Sequence, residues 1–230
     1  MLANDMYGQA DSLAIVEKTP VQVVDTTTVV KKKLFSGVEI LVDYGKLLLI
    51  PSKFESKMEF GVNLRFFERI VLAGEYGIAT IDPLKAYDNA VFYTVEGSYF
   101  RAGLDYYLSI DKKNHLYFGY RYGASQFEDK GKFLIDSEFW PDYEEEFGDA
   151  GLTASWSELV LGSETQLQIG KPESKIHIQN LFLGWKFRFR ILGQFENREE
   201  PRIYTIPGYG RTFDKTIPAL NFYLKYRIGN

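Results

Sequence analysis

The sequence predicts an all-β fold: an eight-stranded antiparallel transmembrane β-barrel with an N-terminal periplasmic tail. Three observations predict it. Apolar and polar residues alternate with period two through most of the chain, as in strands with one apolar face. Tyr and Phe are abundant, 16 and 18 of 230 residues, yet the mean hydropathy is slightly polar at -0.21. Rings in a polar chain must be interleaved with polar groups, as in barrel strands that face lipid on one side and lumen on the other. Finally, every second connection between the alternating segments is short.

The N-terminal stretch 1–32 is rich in Thr, Asp and Lys without a sustained period and reads as an extended or disordered periplasmic tail. Val21 to Val30 as an extra strand or partner-binding segment is the alternative. The start lacks the basic-then-apolar pattern of a signal peptide. Export is therefore inferred from the fold class, with the signal expected to have been removed.

The barrel is expected over 33–230. Its clearest segment runs Lys57 to Phe66, where Met58, Phe60, Val62, Leu64 and Phe66 alternate with Lys57, Glu59, Gly61, Asn63 and Arg65. The same texture recurs in Leu181 to Arg190 and Leu220 to Ile228. Five further segments fit less cleanly, at about 34–44, 70–79, 92–108, 115–124 and 153–168. Each supplies roughly the 9–11 residues of a tilted membrane strand. Short turns follow at Glu68, at Asp111 to Asn114 and at Gly170 to Pro172. Longer connections lie at 45–56, 80–91, 125–152 and 191–215. Short turns on one side and long loops on the other is the asymmetry of outer-membrane barrels. It places both termini in the periplasm and the loops 125–152 and 191–215 outside.

Charges sort onto the face opposite the apolar one. The acids are Glu39, Asp43, Glu59, Glu75, Asp105, Glu158 and Glu164. The bases are Arg65, Arg101, Arg121, Lys186, Arg188, Arg190, Lys225 and Arg227. Arg or Lys facing lipid at mid-depth costs ~2–4 kcal/mol, so this face is expected to line the lumen. The first segment is acidic inside and the eighth basic, and these two must meet when a barrel closes. The acidic sixth likewise lies beside the basic seventh, and opposite charges on neighbouring strands favour pairing. Eight strands leave an interior wide enough only for side chains. A filled, salt-bridged lumen is expected, with inward glycines making room for bulky neighbours.

Several classes of chemistry are excluded or disfavoured. With no Cys, disulfide scaffolds and thiolate metal sites are absent. The net charge of -4 without an Arg/Lys-dense stretch argues against nucleic-acid binding. No apolar run approaches the ~18 residues of a membrane helix. No phosphate-binding Gly motif precedes a helix, and no cofactor or metal is implied. The two histidines, His115 and His177, lie near the short turns, whereas Ser157 and Glu158 lie toward the other end, so a Ser/His/acid set is not assembled. No catalytic residue is assigned.

Two features point to partners. The stretch 125–152 holds nine acids and six aromatics. Phe133, Phe139, Trp140, Tyr143 and Phe147 form the candidate partner-binding loop, since exposed rings are unfavourable unless they pack on something. In the last strand Asn221, Leu224, Tyr226 and Ile228 resemble the C-terminal signal read by barrel-assembly machinery, although Gly229 and Asn230 follow where an aromatic terminus is usual.

The segments Gly97-Ser98-Tyr99-Phe100-Arg101-Ala102-Gly103-Leu104-Asp105-Tyr106, Tyr120-Arg121-Tyr122-Gly123, Leu181-Phe182-Leu183-Gly184-Trp185 and Ile206-Pro207-Gly208-Tyr209-Gly210 together resemble a family of small Bacteroidota outer-membrane barrels. The resemblance spans about 34–228. It implies a non-catalytic accessory barrel of the outer-membrane protein assembly machinery. The expected role is a non-enzymatic accessory or scaffolding subunit. Its expected contacts are outer-membrane lipid, lipopolysaccharide and other outer-membrane or periplasmic proteins. A ligand-binding barrel or narrow pore, a lipid-modifying enzyme and a soluble lipocalin-like carrier are the alternatives.

Overall fold

The computed structural model describes residues 34–47, 55–83, 86, 89–136, 139, 141–170, 178–195 and 203–229. The readings of 1–32 as a tail and of Val21 to Val30 as a strand lie outside them. So do Trp140, His177 and the Lys171-Pro172 turn. By internal contacts the chain divides into Met1–Lys31 and Lys32–Asn230.

The second unit is all-β. In chain order it comprises β1 (Phe35–Asp43), a one-turn helix α1 (Tyr44–Leu47), β2 (Glu55–Phe66), β3 (Ile70–Ile81), β4 (Ala90–Ser109), β5 (Asn114–Ile135), β6 (Tyr143–Ile169), β7 (Ile178–Phe195), the two-residue strands β8 (Thr205–Ile206) and β9 (Gly210–Arg211), and β10 (Thr216–Ile228). Eight of these strands close into a barrel in the order β1-β10-β7-β6-β5-β4-β3-β2. Every neighbouring pair is antiparallel, including the closing pair β1–β10, in which Glu39 faces Arg227 and Leu41 faces Lys225.

Alternation decides which side chains go where, because successive strand residues project to opposite faces. On β2, Phe60 and Val62 are about half exposed on the outer wall, while Glu59, Asn63 and Arg65 are buried inside. On β10, Leu220, Phe222, Leu224, Tyr226 and Ile228 face out, and Asn221, Tyr223 and Lys225 face in. Closure satisfies the backbone of the ring and removes its edges.

The two ends differ. At the turn end, β2 and β3 are joined by a tight turn with Phe67 and Glu68 at positive φ, 47° and 62°. Such backbone geometry matches strand twist but is uncommon for bulky residues. The β4–β5 turn is held by Asp111, whose carboxylate accepts hydrogen bonds from the Lys113 and Asn114 amides and the Asn114 side chain. These donors favour the charged form and lower the Asp111 pKa.

At the loop end two expectations are corrected. Residues 125–152 are not a loop throughout: β5 runs to Ile135 and β6 starts at Tyr143. Backbone pairing continues past the apolar belt, although outward residues turn polar at Gln126, Glu128 and Lys130. A bulge between Phe127 and Asp129, with Gly151 at φ 75°, shifts the parity of β6. Nor does 191–215 simply face outward. β7 continues to Phe195, and Ile203 to Tyr209 fold inward, with Ile203, Ile206 and Tyr209 fully buried.

Candidate functional site

The interior is built from the inward positions of all eight barrel strands. Glu75 on β3 lies at its centre. It is bound by Lys186 and Arg188 from across the barrel, at 2.5 and 2.6 Å, by Arg101 at 3.2 Å and by Arg121. Arg121 also holds Asp105 at 2.6 Å. Glu59 contacts Arg101 at 2.7 Å and accepts the Tyr99 hydroxyl hydrogen bond at 2.6 Å. Glu158 lies 2.8 Å from both Arg101 and Arg188 and 3.6 Å from Arg190, and accepts a hydrogen bond from the Trp156 indole.

Nearer the turn end a second cluster forms. Glu39 binds Arg65, Arg227 and Lys225 at 2.7, 2.9 and 3.1 Å. Lys225 reaches Glu164 at 2.5 Å, and Glu164 also accepts the Tyr107 and Tyr223 hydroxyls. Asp43 accepts a hydrogen bond from Asn221 at 2.7 Å. All fifteen charges assigned inward from the sequence lie inside. All are buried except Arg227, which is partly exposed.

Such a network is costly to assemble and more costly to break. Each buried ion gives up several kcal/mol, roughly, of hydration, which is recovered only when its partners are all in place. The chemistry available is charge pairing. The lumen is crowded with guanidinium, carboxylate and ring groups, and four glycines give them room. A Cβ on Gly77, Gly123, Gly162 or Gly184 would collide with the ring of Tyr99, Trp156, Tyr117 or Tyr223 respectively.

The loop end is closed by the chain itself. Between β8 and β9 the Pro207-Gly208-Tyr209 turn descends onto Tyr99 and Trp156. Arg101 and Arg190 donate hydrogen bonds to the carbonyls of Gly208 and Tyr209, at 2.8 and 2.7 Å. Positive charge inside the barrel thus anchors the plug through its backbone. Sequence reading missed this plug, because no local pattern distinguishes a loop that folds inward from one that folds outward. It also missed Asp129, buried with its carboxylate accepting the Tyr93 hydroxyl hydrogen bond. The signal was present: Ser125, Phe127, Asp129 and Gly131 continue the inward parity of Arg121 and Gly123.

Residues 5–229 match the family model described as a domain of unknown function, DUF6048. The chain belongs to the DUF6048 family. No curated protein and no solved structure matches it.

In this DUF6048 barrel the candidate partner-binding residues divide between the inner face and the surface. Phe133 and Phe147 stack on each other with centroids 4.8 Å apart, and Phe147 also stacks near Tyr93. Phe139 and Tyr143 are exposed, the former at 88%. Leu134 and Ile135 are exposed beside them. The hairpin carries Glu144, Glu145, Glu146 and Asp149, with Lys132 bound to Glu144 at 2.6 Å. The outer wall is uneven. β7 and β10 present Leu183, Trp185, Phe189, Leu220, Phe222 and Leu224, whereas the outward row of β6 is Thr153, Ser155, Ser157, Leu159, Leu161, Ser163 and Thr165. A groove of about 620 Å³ opens on this side, between Phe100, Tyr122, Gln126, Ser155 and Gln194.

The remaining candidates fall as follows. Asn221 points inward while Leu224, Tyr226 and Ile228 of the assembly-signal pattern face outward, all on the strand that closes the ring. Ser157 faces outward, 2.8 Å from the Tyr120 hydroxyl, and Glu158 faces inward onto arginines. His115 pairs in register with Glu164, at the other end of β6 from Trp156 and the plug. Among the described residues no helix is long and apolar enough to cross a membrane, which says nothing of strands.

Proposed function

We propose that this DUF6048 barrel is a non-enzymatic integral outer-membrane protein that acts as an accessory or scaffolding subunit among other envelope proteins. The observation that carries the reading is the inversion of the molecule. Large apolar side chains stand exposed on the outer wall while the charges of the same strands are packed inside. Exposed apolar patches of more than a few hundred Å², roughly, mark membrane or protein contact. Phe60, Tyr76, Phe100, Phe118, Leu159, Leu183 and Leu224 supply such a surface from seven different strands. With the tight turns in the periplasm, both termini lie there, and the plugged mouth and the β5–β6 hairpin lie at the opposite, external end. The resemblance to Bacteroidota outer-membrane barrels supports a place beside the protein-assembly machinery of that phylum.

A lumen filled by ion pairs and capped by its own chain leaves little room for a transported solute, and a lipocalin-like carrier would need an apolar interior. Function is therefore assigned to the outer surfaces, which meet lipid, lipopolysaccharide and partner proteins. The hairpin tip offers Phe139, Tyr143, Leu134 and Ile135 within an acidic rim, suited to a basic partner surface. The hydroxyl-bearing wall of β6 suits contact with another barrel better than contact with hydrocarbon, which satisfies no hydrogen bonds.

The test is affinity purification in mild detergent. Wild type should bring down other envelope proteins. A variant whose tip, 134–144, is replaced by an Asn-Gly turn should lose them while keeping the heat-modifiable migration of an intact barrel. Retention of every partner at wild-type yield would remove the tip from the interface. A wild type that purifies alone would leave a solitary barrel in place of a subunit.

A further inference from the structure

We propose that the turn-end mouth of the lumen is a binding site for a compact oxyanion, a phosphate or carboxylate group, formed by Arg65, Arg227 and His115. The proposal goes beyond the role assigned above and does not depend on how the outer wall is used.

These three residues line a pocket of about 250 Å³, together with Ser36, Asn180 and Glu68. Each of the three carries a buried nitrogen without a hydrogen-bond partner: Nη2 of Arg65, Nη2 of Arg227 and Nδ1 of His115. The two guanidiniums are already oriented by their other nitrogens. Arg65 donates through Nε to Glu39 at 2.7 Å and through Nη1 to the Glu68 carbonyl at 2.9 Å. Arg227 donates through Nε to the same Glu39 oxygen at 2.9 Å. For Nη2 of Arg65, the Glu164 carboxylate lies 3.9 Å away, beyond hydrogen-bond reach. Both guanidiniums are thus held through Nε on Glu39, with Nη2 of each left to donate.

The charge balance has the same sign. Arg65, Lys225 and Arg227 share two acids, Glu39 and Glu164. Among the described residues, Glu68, with its side chain exposed to solvent, is the acid that lines the pocket. The opposite mouth shows what such arginines bind. There Nη2 of Arg101 and Nη1 of Arg190 are met by the oxygens of Gly208 and Tyr209 in the plug, while the Nε of each has no hydrogen-bond partner. At the turn end the comparable acceptor among the described residues is the Glu68 carbonyl, which takes only Arg65 Nη1. An oxyanion accepts several charge-assisted hydrogen bonds at once, the geometry guanidinium forks favour. A pocket below the ~300 Å³ of ordinary small-molecule sites suits an anionic group, such as inorganic phosphate or a lipid headgroup, better than an extended metabolite.

The experiment uses the full chain in a zwitterion-free detergent, titrated with inorganic phosphate, with acetate and with short-chain phosphatidylglycerol. Saturable binding is read by calorimetry and by the side-chain nitrogen resonances of arginine. Wild type should bind at least one probe, and Arg227→Gln and His115→Gln should each weaken it tenfold or more. Lys132→Gln, at the other end of the barrel, should bind as wild type. Heat-modifiable migration verifies each barrel. Should Arg227→Gln fail to fold, the milder His115→Gln and the wild-type arginine resonances still decide. Preference for phosphatidylglycerol over phosphate names a lipid headgroup as the source, and the reverse preference names a free anion. The proposal is overturned if no probe binds saturably, or if both pocket variants bind as tightly as wild type.

Discussion

Glu158 shows how much of this interior rests on single residues. It is fully buried, contacts Arg101, Arg188 and Arg190, and orients Trp156, which in turn packs against the plug residue Tyr209. Removing one partner of a buried ion pair leaves the others uncompensated, at a cost of about 3–5 kcal/mol. Glu158→Gln should lose stability on that scale in a urea titration of the refolded barrel. The neighbouring outward change Ser157→Ala should stay within about 0.5 kcal/mol, as surface substitutions usually do. Equal effects of the two would mean that Glu158 is not the junction its contacts describe. The inward position of Glu158 was legible because it alternates with Leu159 and Leu161. Its pairing with the basic β7, which carries Arg188 and Arg190, was legible on the same basis, but its contact with Arg101 was not, since Arg101 sits on β4, which is not a neighbour of β6 in the ring.

At the level of elements, turns and strands carry separable predictions. Asp111 holds the β4–β5 turn as a carboxylate, and its pKa is lowered by the hydrogen bonds it accepts. A lowered pKa stabilises the fold at neutral pH, and that contribution is lost as the pH falls below the ordinary carboxylate value of about 4. Asp111→Ala should therefore weaken the barrel at pH 7, with the difference from wild type shrinking toward pH 3 in denaturant titrations. A difference independent of pH would place the effect elsewhere. On β7, Leu183 faces outward and is 41% exposed. If this wall lies in lipid, Leu183→Arg should cost ~2–4 kcal/mol on refolding into bilayers. A neutral result there would reject the lipid-facing assignment.

For the whole molecule the decisive feature is closure, of the sheet and then of its mouth. Ion pairs fill the bore, and Ile203, Ile206 and Tyr209 cap it against Tyr93, Tyr99 and Trp156. Wild type should show no stable porin-sized conductance in planar bilayers. Replacing 203–209 with a short Gly/Ser linker removes the acceptors of Arg101 and Arg190 and should lower stability, without opening a wide channel, because the charge network below remains. A large, reproducible current step in the wild type would contradict the filled lumen. A large step in the linker variant alone would show that the plug, and not the ion pairs, seals the barrel.

Strand identity, facing and the sign of each inner strand follow from local chemistry. An apolar residue at every second position from Met58 to Phe66 or Leu220 to Ile228 fixes one face, and the charges between fix the other. The ring pairing of β1 with β10 was anticipated on the same basis, as acid against base. The limits of this reasoning are equally physical. Past Ser125 the outer side chains of β5 become polar, so the apolar-out rule loses its signal although the backbone stays paired. A bulge near Phe127 shifts parity, which no window of fixed period registers. Ile203 to Tyr209 fold inward because arginines from β4 and β7 and rings from β4 and β6 meet them there. Those groups are distant in sequence and are brought together only by closure of the barrel, so the plug, the network around Glu75 and the turn-end pocket belong to the tertiary structure alone.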